Sequence, residues 1–262
     1  MSILYDVYVA SKLVDGERVD NYDKLYYSTN ENLDELFKYV DVKDKDVLTV
    51  LSSSDQYFYC SFNGARSIDS YDINKLTKYY YYLRLWGIKY LDLFYPSEDL
   101  FKNHIYIYEL LKLVDCSDKS EEEAYIFWNS YIRKVFPFDN KNLFYIGSKK
   151  IGISDTTKLI ESIDKNKFSF YNSDLKNINS DKKYDVIITS NILEYCSSDT
   201  TRIIRDKLDT LLNEDGIIVC SNIMYRYSSG NGVFREKFTC KELPYVDNYP
   251  LGYVYKKNVN KK

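Results

Sequence analysis

Residues 47–56, Val-Leu-Thr-Val-Leu-Ser-Ser-Ser-Asp-Gln, contain the pattern that decides the fold. The first five form a short apolar, β-rich run, which is typical of a strand buried on both faces of a sheet. The run stops at small polar residues. A helical stretch over about 56–63 follows and ends before Gly64, a residue suited to a helix C-terminus. The stretch therefore predicts a strand, a tight turn and a helix.

The same alternation continues along the chain. A second strand pattern at 67–71 leads into a helical pattern over 75–86 that ends at Gly87. The later patterns are strands over 168–171, 185–189 and 217–221 and a helix over 199–212, with Ser198 or Asp199 as its N-cap and 213–216 as a turn. Strands that alternate with helices in this way predict an α/β fold with a doubly wound, mostly parallel sheet.

The rest of the chain predicts three additions to this sheet. Residues 1–45 are polar and rich in Tyr and Asp, with a helix candidate over 32–40, and they predict an N-terminal helical or extended cap. Residues 97–165 predict a helical insertion within an α/β domain that spans 46–262. The last stretch of the chain contains several Gly and Pro residues and predicts a terminal antiparallel hairpin or meander.

Composition excludes several classes of function. The chain has one histidine and five separated cysteines with no C-x-x-C pair, so we expect no metal site, no disulfide framework and no serine-protease chemistry. The formal net charge of −3 provides no overall positive field to attract nucleic acid. No apolar run reaches the roughly 20 residues that span a bilayer, and the first residues show no signal peptide, so we expect a cytoplasmic protein.

Polar side chains follow each predicted strand. They are Ser52, Ser53, Ser54, Asp55 and Gln56 after the first strand, and Asp72, Asn74, Asp174, Ser190 and Asn191 after later ones. In a doubly wound sheet, ligands bind at the carboxyl ends of the strands, where the strand order reverses. Asp72 lies 17 residues after Asp55, near the spacing of about 20 residues at which an acidic residue reaches a ribose diol. The alternative is that these residues are ordinary solvated turns.

The first turn lacks the glycines of the G-x-G-x-x-G motif. Because those glycines let a pyrophosphate approach the backbone closely, their absence argues against NAD or FAD as the ligand. A nucleoside ligand without phosphates needs a less close approach, and serine hydroxyls still offer hydrogen bonds to it.

The pattern resembles the class I S-adenosylmethionine (SAM)-dependent methyltransferases over about 46–95 and 167–258. The resemblance implies a Rossmann-like sheet of seven strands and SAM as co-substrate. It implies cofactor contacts from Ser52–Gln56 and Ser190–Asn191, with Asp72 at the ribose and Asp174 at the adenine. Within that superfamily, the first turn and the Asp72-Ile73-Asn74 element are similar to the SAM aminocarboxypropyl transferases of betaine-lipid synthesis, although Ser54 stands where those relatives have glycine.

The resemblance implies a transferase, with methyl transfer as the first expectation. The alternatives are transfer of the 3-amino-3-carboxypropyl group, a non-catalytic SAM-binding or interaction module and, more distantly, a dinucleotide oxidoreductase. SAM is an activated sulfonium, so in-line positioning drives its reaction without a metal or a covalent residue. Glu194 and Tyr195 are the candidate bases, and residues 26–32 either bind the methionine end of SAM or cap a helix. The acceptor is open between a small molecule, a lipid and a peptide, and so is the oligomeric state.

Overall fold

A computed structural model of the chain describes residues 2–95, 104–135, 143–145, 152–221, 229–246 and 249–258. The helices are α1 (Ile3–Val14), α2 (Leu33–Leu36), α3 (Asp55–Phe62), α4 (Leu76–Leu91), α5 (Ile105–Leu111), α6 (Lys119–Val135), α7 (Thr156–Lys165), α8 (Ser198–Leu211) and α9 (Ser229–Arg235). The strands are β1 (Leu25–Tyr26), β2 (Asp46–Val50), β3 (Ser67–Asp72), β4 (Phe144–Tyr145), β5 (Ser169–Asn172), β6 (Tyr184–Ile188), β7 (Leu212–Ser221), β8 (Phe238–Glu242), β9 (Tyr245–Val246), β10 (Tyr249–Pro250) and β11 (Gly252–Lys257). None of the helices in these ranges combines the length and apolar character that a bilayer crossing requires.

Seven strands form the main sheet, in the order β5-β3-β2-β6-β7-β11-β8. Parallel pairs join β5 to β3, β3 to β2, β2 to β6 and β6 to β7. Strand β11 pairs antiparallel with both β7 and β8. The structure therefore confirms the predicted doubly wound, mostly parallel sheet of seven strands that ends in an antiparallel hairpin.

The central strands are buried, as their apolar sequences predict. In β2 and β6, Leu48 and Ile187 are fully buried and lie opposite each other in register. They belong to a core cluster that also contains Ile218 of β7 and Leu208 of α8. Burial of both faces explains why these strands read as continuous apolar runs and not as alternating ones.

The chain forms two compact units. The first comprises Met1–Thr29, Leu51–Asp55 and Ile73–Glu161, and the second comprises Asn30–Val50, Gln56–Asp72 and Ser162–Lys262. The main sheet belongs to the second unit, and α1, α4, α5 and α6 belong to the first. The predicted cap, residues 1–45, is divided between the two units. In the predicted insertion, residues 97–165, the described part contains α5, α6, α7 and the short β4, and 97–103, 136–142 and 146–151 lie outside the described ranges.

Helix α4 continues through Gly87, where the sequence predicts its end. It ends at Leu91, and the residue that follows, Asp92, has the left-handed φ of 55° that terminates a helix. A Cβ atom at position 87 would collide with the hydroxyl of Tyr106 in α5. The glycine therefore permits close packing between two helices and does not mark a helix end.

Two boundaries near β7 also differ from prediction. The N-cap of α8 is Ser197, one residue earlier than expected, and its hydroxyl accepts the Thr200 N–H at 3.2 Å. The predicted turn at 213–216 lies within β7, where the pairing jumps from Tyr184↔Leu212 to Val186↔Ile217. The chain forms a bulge there and then resumes its pairing with β6. Residues 213–216 therefore form an irregularity within one strand and not a turn between two elements.

The N-terminal region contains a helix that the sequence analysis missed. Helix α1 buries five apolar side chains together with Asp6. Because Asp6 is a polar residue at a buried position, it interrupts the apolar pattern by which a buried helix face is identified in the sequence. The expected helix over 32–40 is present as the shorter α2. Asn32 is its N-cap, and the side chain accepts the Glu35 N–H at 3.2 Å.

Candidate functional site

The strand order of the main sheet reverses between β2 and β6. From β2 the chain proceeds to β3 and β5 on one side, and β6 and β7 lie on the other. A doubly wound sheet binds its ligand at the carboxyl ends of the strands on either side of such a reversal. Gln56, in the helix that follows β2, and Ser190, which follows β6, are the predicted site residues at this point within the second unit.

A buried carboxylate joins these two residues. Glu31 is 3% exposed, and its Oε2 accepts a hydrogen bond from Nε2 of Gln56 at 3.0 Å. Its Oε1 accepts one from the hydroxyl of Ser190. Glu31 thus ties the first turn of α3 to the segment after β6. Glu31 lies within residues 26–32, for which the sequence predicts two alternative roles, and the structure shows the helix cap at Asn32 next to the contact with the strand ends.

Two further predicted residues lie at the ends of neighbouring strands. Asp72 is the last residue of β3, and its backbone carbonyl accepts hydrogen bonds from Nδ2 of Asn172 and N–H of Ser173, each at 3.0 Å. These bonds fix the end of β5 beside Asp72 and place Asp174 two residues beyond the paired position. Both residues are half-buried. Partial exposure is what we expect of side chains that bind a ligand at the carboxyl ends of parallel strands.

Asp174 also has a local role. Its side chain accepts the Lys176 N–H at 3.2 Å as the N-cap of a short 3₁₀ turn, and the Lys176 ammonium lies 3.2 Å from its other oxygen. This arrangement orients the carboxylate but leaves it half-buried. The adenine contact predicted for Asp174 therefore stays a prediction that the geometry permits.

The phenol of Tyr71 is a group near these carboxylates that the sequence analysis missed. It is buried, and its hydroxyl has no hydrogen-bond partner among the described residues. Burial, with smaller contributions from Asp72 and Asp174, raises the pKa of Tyr71 well above its ordinary value, so the hydroxyl keeps its proton. The strand pattern over 67–71 includes Tyr71 but contains no signal that its hydroxyl is buried.

The loop after β2, residues 51–55, belongs to the first unit. Ser52 and Ser54 have φ angles of 43° and 71°, in the left-handed region that favours glycine. The Ser54 N–H donates to the carbonyl of Leu51 at 2.5 Å. The two serines thus adopt φ angles that glycine adopts without strain, at a cost of about 1–2 kcal/mol per residue.

Asp55, at the end of this loop, has both carboxylate oxygens occupied. Its Oδ2 accepts the Thr29 N–H and the Ser53 hydroxyl, each at 2.6 Å. Its Oδ1 accepts Nη2 of Arg84 at 3.0 Å and the Tyr95 hydroxyl at 2.6 Å. The side chain is fully buried, so the structure gives Asp55 a role in holding the loop, and its predicted cofactor contact stays a prediction.

The remaining predicted residues have local contacts. Asn74 accepts the Leu76 N–H at 3.2 Å and donates to the carbonyl of Asp23 at 2.8 Å, which sets the entry into α4.

Asn191 approaches the hydroxyl of Tyr195 at 3.5 Å. Tyr195 is 81% exposed and Glu194 is half-buried, both in the 3₁₀ turn after β6. Their catalytic roles stay predictions, of which a half-buried carboxylate fits a base better than a solvated phenol.

The serine at position 54 provides a test of the loop conformation. Ser54→Gly should make the protein about 1 kcal/mol more stable, because glycine relieves the left-handed strain more than its greater unfolded-state freedom costs. It also removes a buried hydroxyl that has no hydrogen-bond partner among the described residues. The measurement is urea unfolding.

The matched control is Ser53→Gly. Ser53 does not have a positive φ, and its hydroxyl donates to Asp55, so glycine there should lower stability. If both substitutions lower stability equally, Ser54 is not strained.

Among the described residues, no group of three or more His, Cys, Asp or Glu side chains is placed to hold a metal ion. Strand-end carboxylates, amides and hydroxyls are groups that can bind and orient an organic ligand through hydrogen bonds.

No protein-family model matches the chain, and no curated protein matches it. Several solved structures have a related backbone. They include the ribosomal protein L11 methylase from Lactobacillus delbrueckii subsp. bulgaricus, with 13% identity, a TM-score of 0.45 and coverage of 86% of this chain and 77% of that one. A TehB-like SAM-dependent methyltransferase from Corynebacterium glutamicum has 10% identity, a TM-score of 0.44 and coverage of 97% and 96%. The N-methyltransferase NodS from Bradyrhizobium japonicum, in complex with S-adenosyl-L-homocysteine, has 7% identity, a TM-score of 0.43 and coverage of 97% and 98%. With TM-scores below 0.5, these likenesses do not identify a family for this chain.

Proposed function

We propose that this protein is a SAM-dependent transferase that transfers a methyl group. The observation that carries the proposal is the pair of half-buried carboxylates, Asp72 and Asp174, at the ends of the adjacent parallel strands β3 and β5. A carboxylate accepts two hydrogen bonds in one plane, which matches a ribose diol, and a second one nearby can accept from an adenine amino group. Both residue types and their order along the chain match the resemblance found in the sequence.

The chemistry asked of such a site is positioning. The sulfonium of SAM leaves as a neutral thioether when the acceptor attacks the methyl carbon, so in-line alignment supplies most of the rate enhancement. A base is needed only when the acceptor must lose a proton, and Glu194 is then the candidate. This mechanism requires neither a metal nor a covalent intermediate.

The direct test is to titrate the protein with SAM by calorimetry and then to incubate it with SAM and candidate acceptors. Formation of S-adenosylhomocysteine supports methyl transfer. Formation of methylthioadenosine, with the aminocarboxypropyl group on the acceptor, supports aminocarboxypropyl transfer and contradicts methyl transfer. Binding without turnover favours the non-catalytic module. A folded protein that does not bind SAM contradicts the proposal.

Asp174 provides a test of adenine recognition. Asp174→Asn should weaken SAM by about 1–3 kcal/mol, the range for losing a hydrogen bond to a charged group, because the single amide oxygen caps the turn and Nδ2, a donor, then faces the adenine amino group. Asparagine still caps the turn at Lys176, so the fold is retained. An inosyl analogue, which lacks the adenine amino group, should lose far less on the same substitution. Equal losses for both ligands would assign Asp174 to the turn and not to the adenine.

A further inference from the structure

Arg84 is a fully charged side chain in the interior of the first unit. It lies in α4 and is 2% exposed. Its guanidinium stands 4.5 Å from the ring centroid of Tyr95 and 4.9 Å from that of Phe94. Aromatic faces stabilise a desolvated cation, and a planar guanidinium stacks on them better than an ammonium does.

The guanidinium makes two hydrogen bonds to the loop after β2. Nη1 donates to the backbone carbonyl of Ser53 at 2.8 Å, and Nη2 donates to Oδ1 of Asp55 at 3.0 Å. These two bonds hold the residues on either side of Ser54. A planar fork reaches both acceptors at once, which a single ammonium does less well.

The electrostatics of this pair favour the charged form of Arg84. Burial alone would lower the pKa of Arg84, but the neighbouring Asp55 carboxylate and the bond to it raise that pKa above its ordinary range. Tyr95 completes the arrangement, since its hydroxyl donates to the same carboxylate oxygen as Arg84. The loop is thus fastened to α4 by a buried ion pair.

The loop needs such a fastening because two of its serines have left-handed φ angles. Strained backbone of this kind persists only where the surrounding structure determines it. Glycine adopts this conformation without strain, whereas Ser52 and Ser54 adopt it with strain. The ion pair therefore holds a loop conformation that glycine would adopt without such support.

We propose that Arg84 is a positioning residue for the cofactor, which holds residues 52–55 in the conformation that SAM binding requires. The inference rests on the proposed function and adds a residue to it. Arg84 acts through Ser53 and Asp55 and does not contact SAM.

The test is the SAM affinity of Arg84→Lys, measured by calorimetry on a sample whose circular dichroism matches wild type. We expect a loss of roughly 10- to 100-fold, which corresponds to about 1.4–2.7 kcal/mol, because the two strained serines are then held less firmly. Arg202→Lys is the matched control, since Arg202 is half-exposed in α8 and pairs with Asp199 on the surface. It should bind SAM as wild type does.

A rescue experiment separates positioning from general stability. Ser52→Gly with Ser54→Gly, added to Arg84→Lys, should restore SAM affinity to within about threefold of the glycine variant that retains Arg84, because glycine holds the loop form without the ion pair. Where Arg84→Lys does not fold, Arg84→Met with Asp55→Asn takes its place, since a buried pair is often replaced as a whole without loss of stability. That variant should fold, bind SAM weakly and respond to the same glycines.

The inference is overturned if folded Arg84→Lys binds SAM as wild type does, or if the glycines fail to restore affinity. The Asp72→Ala variant separates this outcome from failure of the proposed function. If Asp72→Ala weakens SAM binding and Arg84→Lys does not, only the role of Arg84 is wrong. If wild type does not bind SAM, both proposals fail together.

Discussion

Asp72→Ala is expected to weaken SAM and S-adenosylhomocysteine alike by about 1.5–3 kcal/mol, roughly 10- to 150-fold in Kd. The reason is the position of the carboxylate at the carboxyl end of β3, where two hydrogen bonds from the end of β5 hold its backbone. A ribose diol that loses this acceptor is left with water or backbone. The measurement is isothermal titration calorimetry with both ligands.

Two controls make this prediction specific to the ribose. A 2′-deoxyribose analogue should lose much less on the same substitution, because one of the two bonds is already absent. Asp181→Ala removes an exposed carboxylate from the loop before β6 and should leave SAM affinity unchanged. The thermal midpoint of ligand-free Asp72→Ala should stay near that of wild type, since a half-buried strand-end side chain contributes little to packing. Wild-type affinity in Asp72→Ala would mean that the strand ends do not bind the ribose.

The parallel sheet was predictable because burial of both strand faces leaves a direct signal. The runs around Leu48 and Ile187 are continuous and apolar, and each is followed by small polar residues. Strand position along the chain therefore follows from the hydrophobic pattern alone. The strand-end positions of Asp72 and Ser190 follow from the same pattern, because they are defined relative to the strands.

The groups that hold the site were not predictable, because each depends on a partner that is distant in sequence. Ser190 donates to Glu31 from 159 residues away, and Arg84 donates to Asp55 from 29 residues away. Local periodicity contains no information on such pairs. A single arginine within the otherwise apolar and aromatic stretch 79–86 is the one signal that was present, since a buried charge requires a partner.

The same reasoning applies to the first turn, where the sequence contains no glycine and no local pattern specifies the backbone angles of the serines. Ser52 and Ser54 adopt the glycine-like form because the buried pair of Arg84 and Asp55 determines it. A conformational preference of about 1–2 kcal/mol per residue yields to a network of buried, charge-assisted hydrogen bonds.

The second large effect is expected at Asp6, which lies in α1 and whose side chain is fully buried. Its Oδ2 accepts the Lys75 ammonium at 2.6 Å and the Tyr79 hydroxyl at 2.7 Å, and its Oδ1 accepts the Tyr22 hydroxyl at 2.9 Å. Burial, followed by the bond to Asp6, raises the pKa of both phenols above their ordinary range, so both remain donors. The carboxylate thus joins α1 to the beginning of α4.

Asp6→Ala should lower the free energy of unfolding by about 3 kcal/mol, because it leaves an ammonium and two hydroxyls without their shared acceptor. The value lies at the lower end of the range for a broken buried pair, since the Lys75 side chain is 24% exposed and reaches water. Urea unfolding measures the change.

Asp20→Ala, which removes an exposed carboxylate, should change stability by less than about 0.5 kcal/mol. Combined with Lys75→Met, Asp6→Ala should cost less than the sum of the two single changes, because the cation that it strands is then absent. Additive losses would mean that Asp6 and Lys75 contribute to stability independently, and equal midpoints for Asp6→Ala and Asp20→Ala would mean that this carboxylate does not hold α1 in place.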